Sequence, residues 1–505
     1  MNSVTGEPVR RALVQVGSSA GGGQISMLTD AEGRFEFPAL PESELVLTAR
    51  KPGFFNDLEL HPEYFHYDTI HLASDTSSVV LKLHPESSIF GHVLTLKDPV
   101  EDCPVRVFEE RIVDGRKQWE QRAQTMTDED GQFRVANLVP GQYLLVAGPN
   151  LASAQAALFQ VRSARPEGFG TIFYPGVSEL EAATPVTVAG GQQLQVDFSL
   201  KPEPIFSIAG TVVGLGEGVH PALQIVNRAG EALSIPVNFD RQTGKFKTKL
   251  PGGAYVIQLR GQDSAGLLFA SDLPLTVHAD VEGISLPLGP SITLPITVDL
   301  GVTGMTEVPD QVNRLLRNAE GISSVRLIPR EKQLQVQEFQ AERNEKSRAL
   351  AVRNLTPGRY TVEITAAPPW YVRAVTSGTT DLLREDLVIS GGRRPDPLEV
   401  VLRDDGSSLH GTIHADGQPS GGTVLLFSDQ RSLEHAQTAV VQNGAEFLFS
   451  GLAPGDYKVL AFDSIEGLEF RNADAVSPYL SRAVAVTLQP NEATNVNLEQ
   501  IRREK

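Results

Sequence analysis

Apolar and polar positions alternate in steps of two through much of the chain, the spacing that turns one face of a β-strand inward and the other to water. One phrase carries the alternation again and again. It reads GRFEFPALPESELVLTA from residue 33, GQFRVANLVPGQYLLVA from 131, SRALAVRNLTPGRYTVEI from 347 and AEFLFSGLAPGDYKVLA from 445. A looser copy, GKFKTKLPGGAYVIQL, starts at 244 with its proline moved to Pro251. Phe35/Phe37, Phe133/Val135, Leu350/Val352 and Phe447/Phe449 alternate before the turn. Tyr143, Leu145 and Ala147 do so after it, as do Tyr360, Val362 and Ile364, and Tyr457, Val459 and Ala461. The phrase therefore predicts a half-buried strand, a tight turn and a second half-buried strand, with Pro setting φ at about −65° and, in the copies that carry Pro-Gly, Gly accepting positive φ.

The repeat recurs about every 100 residues, the size of a small β-sandwich. A tyrosine just past such a turn can pack its ring in the core and return its hydroxyl to nearby backbone, so Tyr143, Tyr255, Tyr360 and Tyr457 are read as tyrosine corners. Short strands with Gly-x-Val/Ile open the units at Gly91, Gly210 and Gly411. Alternating strands close them, among them VVLKLHP from residue 79, PLEVVLRDD from 397 and TNVNLEQI from 494. The fold class that follows is all-β, a tandem array of about five small Greek-key sandwiches at 1–86, 87–203, 204–290, 291–405 and 406–505. The third is divergent, and the fourth carries a polar insertion whose stretch 308–321 has a helical stripe of Val312, Leu315 and Leu316. Aligning Gly6-Glu7-Pro8 on Gly417-Gln418-Pro419 leaves the first unit without its opening strand, so an upstream strand and signal peptide are expected.

Composition narrows the partners. A formal charge of −18 repels phosphate backbones and anionic membrane surfaces, which argues against nucleic acid. The single cysteine, Cys103, removes intrachain disulfides and thiolate zinc cages. No apolar run is long enough to span a bilayer, so no membrane insertion is expected.

TDEDGQFRVANLVPGQYLLVA resembles the carboxypeptidase regulatory-like domain, a transthyretin-like or prealbumin-like β-sandwich. The runs YPGVSELEAATPVTVAGGQQLQVDFSL from 174 and PPWYVRAV, DLVISGG, PLEVVL, LHGTI, GLAPGDYKVLAFD and RAVAVTL after it resemble bacterial exported proteins that string such domains in tandem. The resemblance implies a noncatalytic accessory fold, since no catalytic domain accompanies it here. It also implies a relation to starch-binding-like folds, hence a suspicion of carbohydrate binding.

Candidate chemistry is sparse. HPEYFHYDTIH gathers His61, Glu63, His66 and His71, metal-ligand residue types, yet strand geometry sends neighbouring histidines to opposite faces. A polar loop is the expected reading, and no metal or other cofactor is assigned. Thr29–Gly33 and Thr127–Gly131 are acidic turns; Asp128 and Asp130 suggest a calcium loop, but Phe133 stands where a further ligand would be needed, so Asx-type hairpin turns are expected. Trp370, Tyr371, Phe173 and Tyr174 are the aromatics read as exposed sugar-stacking platforms, with Trp119 as an outlier; packing at a domain junction is the alternative for Trp370. No nucleophile elbow, phosphate loop or dinucleotide fingerprint occurs, and Gly21-Gly22-Gly23 has no following helix. The expected protein is a noncatalytic, periplasmic or extracellular spacer, scaffold or adhesion-type surface whose partners are a carbohydrate or another cell-surface protein. The alternative is a carbohydrate-binding protein with a defined glycan site near Trp370 and Tyr371, the exposed aromatics of the fourth unit.

Overall fold

The computed structural model describes residues 1–18, 24–37, 40, 45–60, 78–95, 98–148, 167–216, 218–227, 230, 232–233, 235–264, 268–301, 321–330, 334, 338–343, 349–390, 394–442 and 444–503. The chain is all-β, a tandem array of sandwiches with a few short helical turns. It divides into two compact units, residues 1–110 with 120–205, and residues 111–119 with 206–505.

In the first unit, Leu13–Ser18 lies between Ile25–Leu28 and Leu45–Arg50, antiparallel to both. The period-two pattern survives in the structure. Leu45, Leu47 and Ala49 are buried and face Val14 and Val16 in one apolar cluster, with Phe35, Phe37 and Leu81 packed against it. At the amino terminus Asn2 bridges Leu83 in parallel, the Ser3 N–H donates to the Leu83 carbonyl at 3.0 Å, and the Leu83 N–H donates to Met1 at 2.9 Å.

Farther along the same unit, Ser87–Leu94 runs antiparallel to Gln132–Leu138 and parallel to Gln193–Gln195 and Phe198–Ser199. A second sheet centres on Gly141–Ala147, antiparallel to Pro104–Val113, Ile172–Phe173 and Val186–Val188. Ile89, Val93, Phe133, Val135 and Phe198 from one sheet meet Val105, Val107, Tyr143 and Leu145 from the other, which is a sandwich core.

In the second unit the parallel opening-to-closing pair recurs three times. Glu203–Val213 pairs with Val281–Pro287, Ile292–Gly301 with Leu398–Arg403, and Ser407–Ala415 with Ala493–Ile501. Gly91, Gly210 and Gly411 explain their own recurrence here: a Cβ would lie 1.8 Å from the Val196 carbonyl oxygen, 2.5 Å from that of Ile284 and 1.7 Å from that of Val496. Glycine is what lets the closing strand's backbone come this near.

Each stretch has its own core, built around Ile208, Phe246 and Ile257, around Leu294, Val325, Leu327 and Val400, and around Leu409, Phe447, Val459 and Leu498. The last sandwich is buried on both faces of one sheet. Leu425, Phe427, Leu460 and Phe462 point away from the main core and are covered by Leu468, Phe470 and Val476. The short helices Ala473–Val476 and Ser477–Arg482 lie in that cover. Of the helical stretch expected at 308–321, only Gly321 is among the described residues.

Candidate functional site

The repeated phrase builds one local device in every copy that ends in tyrosine. Tyr143 donates its hydroxyl hydrogen to the Val139 carbonyl at 2.6 Å, Tyr255 to Pro251 at 3.1 Å, Tyr360 to Thr356 at 2.7 Å and Tyr457 to Ala453 at 2.8 Å. In each case the acceptor lies four residues upstream, across the Pro-Gly turn, and the ring is buried. These tyrosines hold turns closed, and Tyr457 also borders the cleft described below. Burial drives the Tyr457 phenol above its ordinary value.

The acidic turns are occupied by their own backbone. Asp128 Oδ1 accepts from the Asp130 and Gln132 N–H groups at 3.1 and 2.8 Å, and Asp30 Oδ1 accepts from Glu32 and Arg34 at 3.0 and 2.8 Å. Gly131 and Gly33 follow at φ of 70°, the left-handed conformation such turns require. The threonine before each aspartate escaped the sequence reading. Thr127 Oγ1 donates to the Val100 carbonyl and accepts from the Cys103 N–H at 2.9 Å, and Thr29 Oγ1 does the same with Val9 and Ala12. The signal was the repeated Thr-Asp pair itself. Cys103 is buried, and burial pushes its thiol up to about 12, which leaves it unreactive near neutral pH.

His61, Glu63, His66 and His71 lie outside the described residues. Among the described residues no group of three metal-ligating side chains converges. Two of the aromatics read as exposed are buried: Phe173 is 1% exposed and Tyr371 4% exposed. Strand pairing with Val146 draws Phe173 inward, and Tyr371 is drawn inward by its ladder to Leu398–Arg403 and by the bond its hydroxyl donates to Asp405 at 3.0 Å. Phe173 is closed off, whereas Tyr371, though buried, borders the cleft described below. Tyr174 is half-buried, edge-on to Phe198, and Trp119 is half-buried as well. Trp370 is also half-buried, packed against the core that contains Leu300 and Leu402.

Trp370 does, however, stand on the wall of a cleft of about 720 Å³ within the second unit, shared with Asp114, Glu363, Arg431, His435 and Arg471. A charged network forms one side of it. Arg116 Nη2 donates to Glu363 Oε1 at 2.5 Å and to Glu434 Oε2 at 2.7 Å, and Arg326 Nη2 takes the other oxygen of Glu363 at 2.5 Å. Arg330 pairs with the second oxygen of Glu434, while Arg471 donates to the Glu434 carbonyl and reaches Asp114 Oδ2 at 2.8 Å. Both glutamates are thus bracketed by guanidinium groups. Burial alone would raise the Glu363 carboxyl, yet Arg116, Arg471 and Arg326 outweigh it and hold it below the usual carboxylate range. Arg116 feels the reciprocal effect, its charge favoured by Glu363 and Glu434 against the cost of burial.

Arg116 is placed by a tight turn. Asp114 and Gly115 have φ of 49° and 72°, the two positive values of a type I′ hairpin, and a Cβ on Gly115 would come within 2.8 Å of the Phe470 ring. The Asp-Gly pair between two alternating runs was the available sequence signal. His435 sits at the end of the short 3-10 turn Leu433–His435, capped by the Ser432 side chain, and burial followed by the nearby Arg431 charge lowers its pKa.

No family model matches the chain, and no curated protein matches it. The resemblance to carboxypeptidase regulatory-like domains therefore rests on the sequence runs quoted above. Among solved structures, the chain is similar to the TIE protein of Bacillus anthracis at 10% identity, over 79% of this chain and 68% of that one, with a TM-score of 0.15. It is similar to BcpA, the major pilin subunit of Bacillus cereus, at 10% identity over 63% and 99%, TM-score 0.16. GBS52, the minor pilin of Streptococcus agalactiae, matches at 14% identity over 39% and 84%, TM-score 0.18. TM-scores this low carry no argument about arrangement or function.

Proposed function

We propose that the chain is a noncatalytic, exported array of β-sandwich domains, periplasmic or extracellular, that works as a spacer, scaffold or adhesion-type binding surface. The observation behind this reading is that each apolar core draws on one consecutive stretch of chain, from Val9–Leu83 through Ile89–Leu200 and Ile208–Leu288 to Leu294–Leu402 and Leu409–Leu498. Sandwiches with separate cores hold their loops in fixed order, and weak contacts from several loops add through effective concentration. Cells producing the protein are expected to lose it to an external protease, at once if it is extracellular and after permeabilisation of the outer membrane alone if it is periplasmic. Protein that stays uncut until the inner membrane is broken overturns the reading.

A second reading, a carbohydrate-binding protein with its site near Trp370, is favoured by one observation: the half-buried indole lines a cleft of about 720 Å³, within the range of small-ligand sites. Tyr371, buried, borders the same cleft, whereas Phe173 and Tyr174 lie outside it. Saturable oligosaccharide binding that is weakened by Trp370→Phe supports it, and an absence of binding to any member of a broad panel removes it.

A further inference from the structure

The charged groups of the cleft are unequally provided for. Asp114, Arg326, Glu363, Glu434 and Arg471 are paired with one another through the network above. Asp404, also in the wall, has a partner of its own. Arg431 differs. Its Nη2 donates to the Val372 carbonyl at 2.7 Å, and among the described residues no carboxylate stands within salt-bridge distance of it. The acid in its surroundings, Asp381, faces Arg384 instead at 3.7 Å. Burial lowers the pKa of Arg431, with the charge of Arg373 acting the same way. Arg431 is half-buried, and a guanidinium has five N–H donors in a planar fork; with one bond made inside the protein, its other donors are left to solvent or to an acceptor that enters the cleft. The acceptor that matches the fork is a carboxylate, held by two parallel bonds.

The rest of the wall describes the body that would carry such a carboxylate. Trp370 provides a flat apolar surface, while Ser428, Gln437, Thr438 and Ser450 add hydroxyl and amide groups suited to a polyol. We propose that this cleft is a binding site for a carboxylate-bearing saccharide unit, with Arg431 receiving the carboxylate and Trp370 the sugar ring. The proposal rests on the carbohydrate reading and refines it. A neutral sugar would leave Arg431 as it is, and a peptide carboxylate would use the arginine without the hydroxyl-rich wall.

Titration calorimetry on the full chain tests this with three probes: an oligogalacturonate, a malto-oligosaccharide and a short peptide with a free carboxyl terminus. The acidic saccharide is expected to bind, Arg431→Gln to weaken it by about tenfold or more, and Arg431→Lys, which keeps the charge and loses the fork, to fall between. Unchanged thermal midpoints in both variants establish that the fold is intact; should Arg431→Gln unfold, Arg431→Lys and Trp370→Phe carry the test. Malto-oligosaccharide binding that is equal in wild type and Arg431→Gln but weakened by Trp370→Phe overturns the carboxylate proposal and leaves the carbohydrate reading standing. Binding of the peptide in preference to both sugars overturns it in favour of a protein partner, and binding of none of the three overturns proposal and reading together.

Discussion

At the scale of single residues, the recurring tyrosine is the clearest case of one side chain closing a turn. Tyr457 contributes a buried ring and one hydrogen bond, 2.8 Å to the Ala453 carbonyl. Removing the hydroxyl alone leaves that carbonyl short of a partner, so Tyr457→Phe is expected to cost about 1 kcal/mol. Removing the ring leaves a cavity among Leu409, Phe449 and Leu488, so Tyr457→Ala is expected to cost about 3 kcal/mol or more. Denaturant titration of the full chain, followed by a probe in the last sandwich, separates the two. Equal and negligible effects would mean that neither the ring nor the bond supports the fold. Gly411 is the complementary residue. There the close approach of the Val496 carbonyl, not a positive φ, excludes every side chain.

At the scale of elements, the short turn Leu433–His435 joins two titrations in one place, because Glu434 belongs to the charged network and His435 to the cleft. His435 has a folded pKa below its ordinary 6.5: burial and then Arg431 and Arg471 oppose its protonation, while the Leu382 carbonyl and Glu363 favour it. The unfolded chain therefore binds more protons near that value, and stability is full above it and lost as pH falls through it toward the folded value. Glu363, held below its ordinary 4.5 by its three arginines against the cost of burial, acts in the same direction at lower pH. The thermal midpoint of the second unit is expected to fall in two stages on acidification, and His435→Gln should remove the first and spare the second. A midpoint that stays flat from about pH 7 to pH 5 would contradict the assignment. The strands were legible in the sequence wherever period two met a Pro-Gly turn, as at Phe133–Tyr143 and Phe447–Tyr457. The cover over the last sandwich was not, because Leu468, Phe470 and Val476 follow no period, and a strand buried on both faces, such as Gly422–Ser428, reads as a bare apolar run. Nor was the cleft. Trp370 drew notice as an aromatic, but Arg116, Arg326, Glu363, Arg431 and Glu434 come from distant strands and turns that only the fold brings together.

At the scale of the whole molecule, separate cores mean separate unfolding events, so one two-state free energy does not describe the chain. Which stretch opens first depends on how well its opening strand is tied to its closing strand, since that parallel pair seals an edge of each sandwich. In the last stretch the pairing runs without interruption from Ser408 with Ala493 to His414 with Glu499. In the first, among the described residues, it is confined to Met1–Ser3 against Leu81–Leu83. Local opening follows the weakest ladder. The amides of Leu13–Ser18 and Leu45–Arg50 are therefore expected to exchange with solvent faster than those of Ser407–Ala415 and Gly455–Phe462 under native conditions, and limited proteolysis is expected to cut first within residues 1–86. Equal protection in the two stretches would show that the three-stranded sheet of Leu13–Ser18 and its neighbours holds without a long opening strand, and that the parallel pair is not what limits opening.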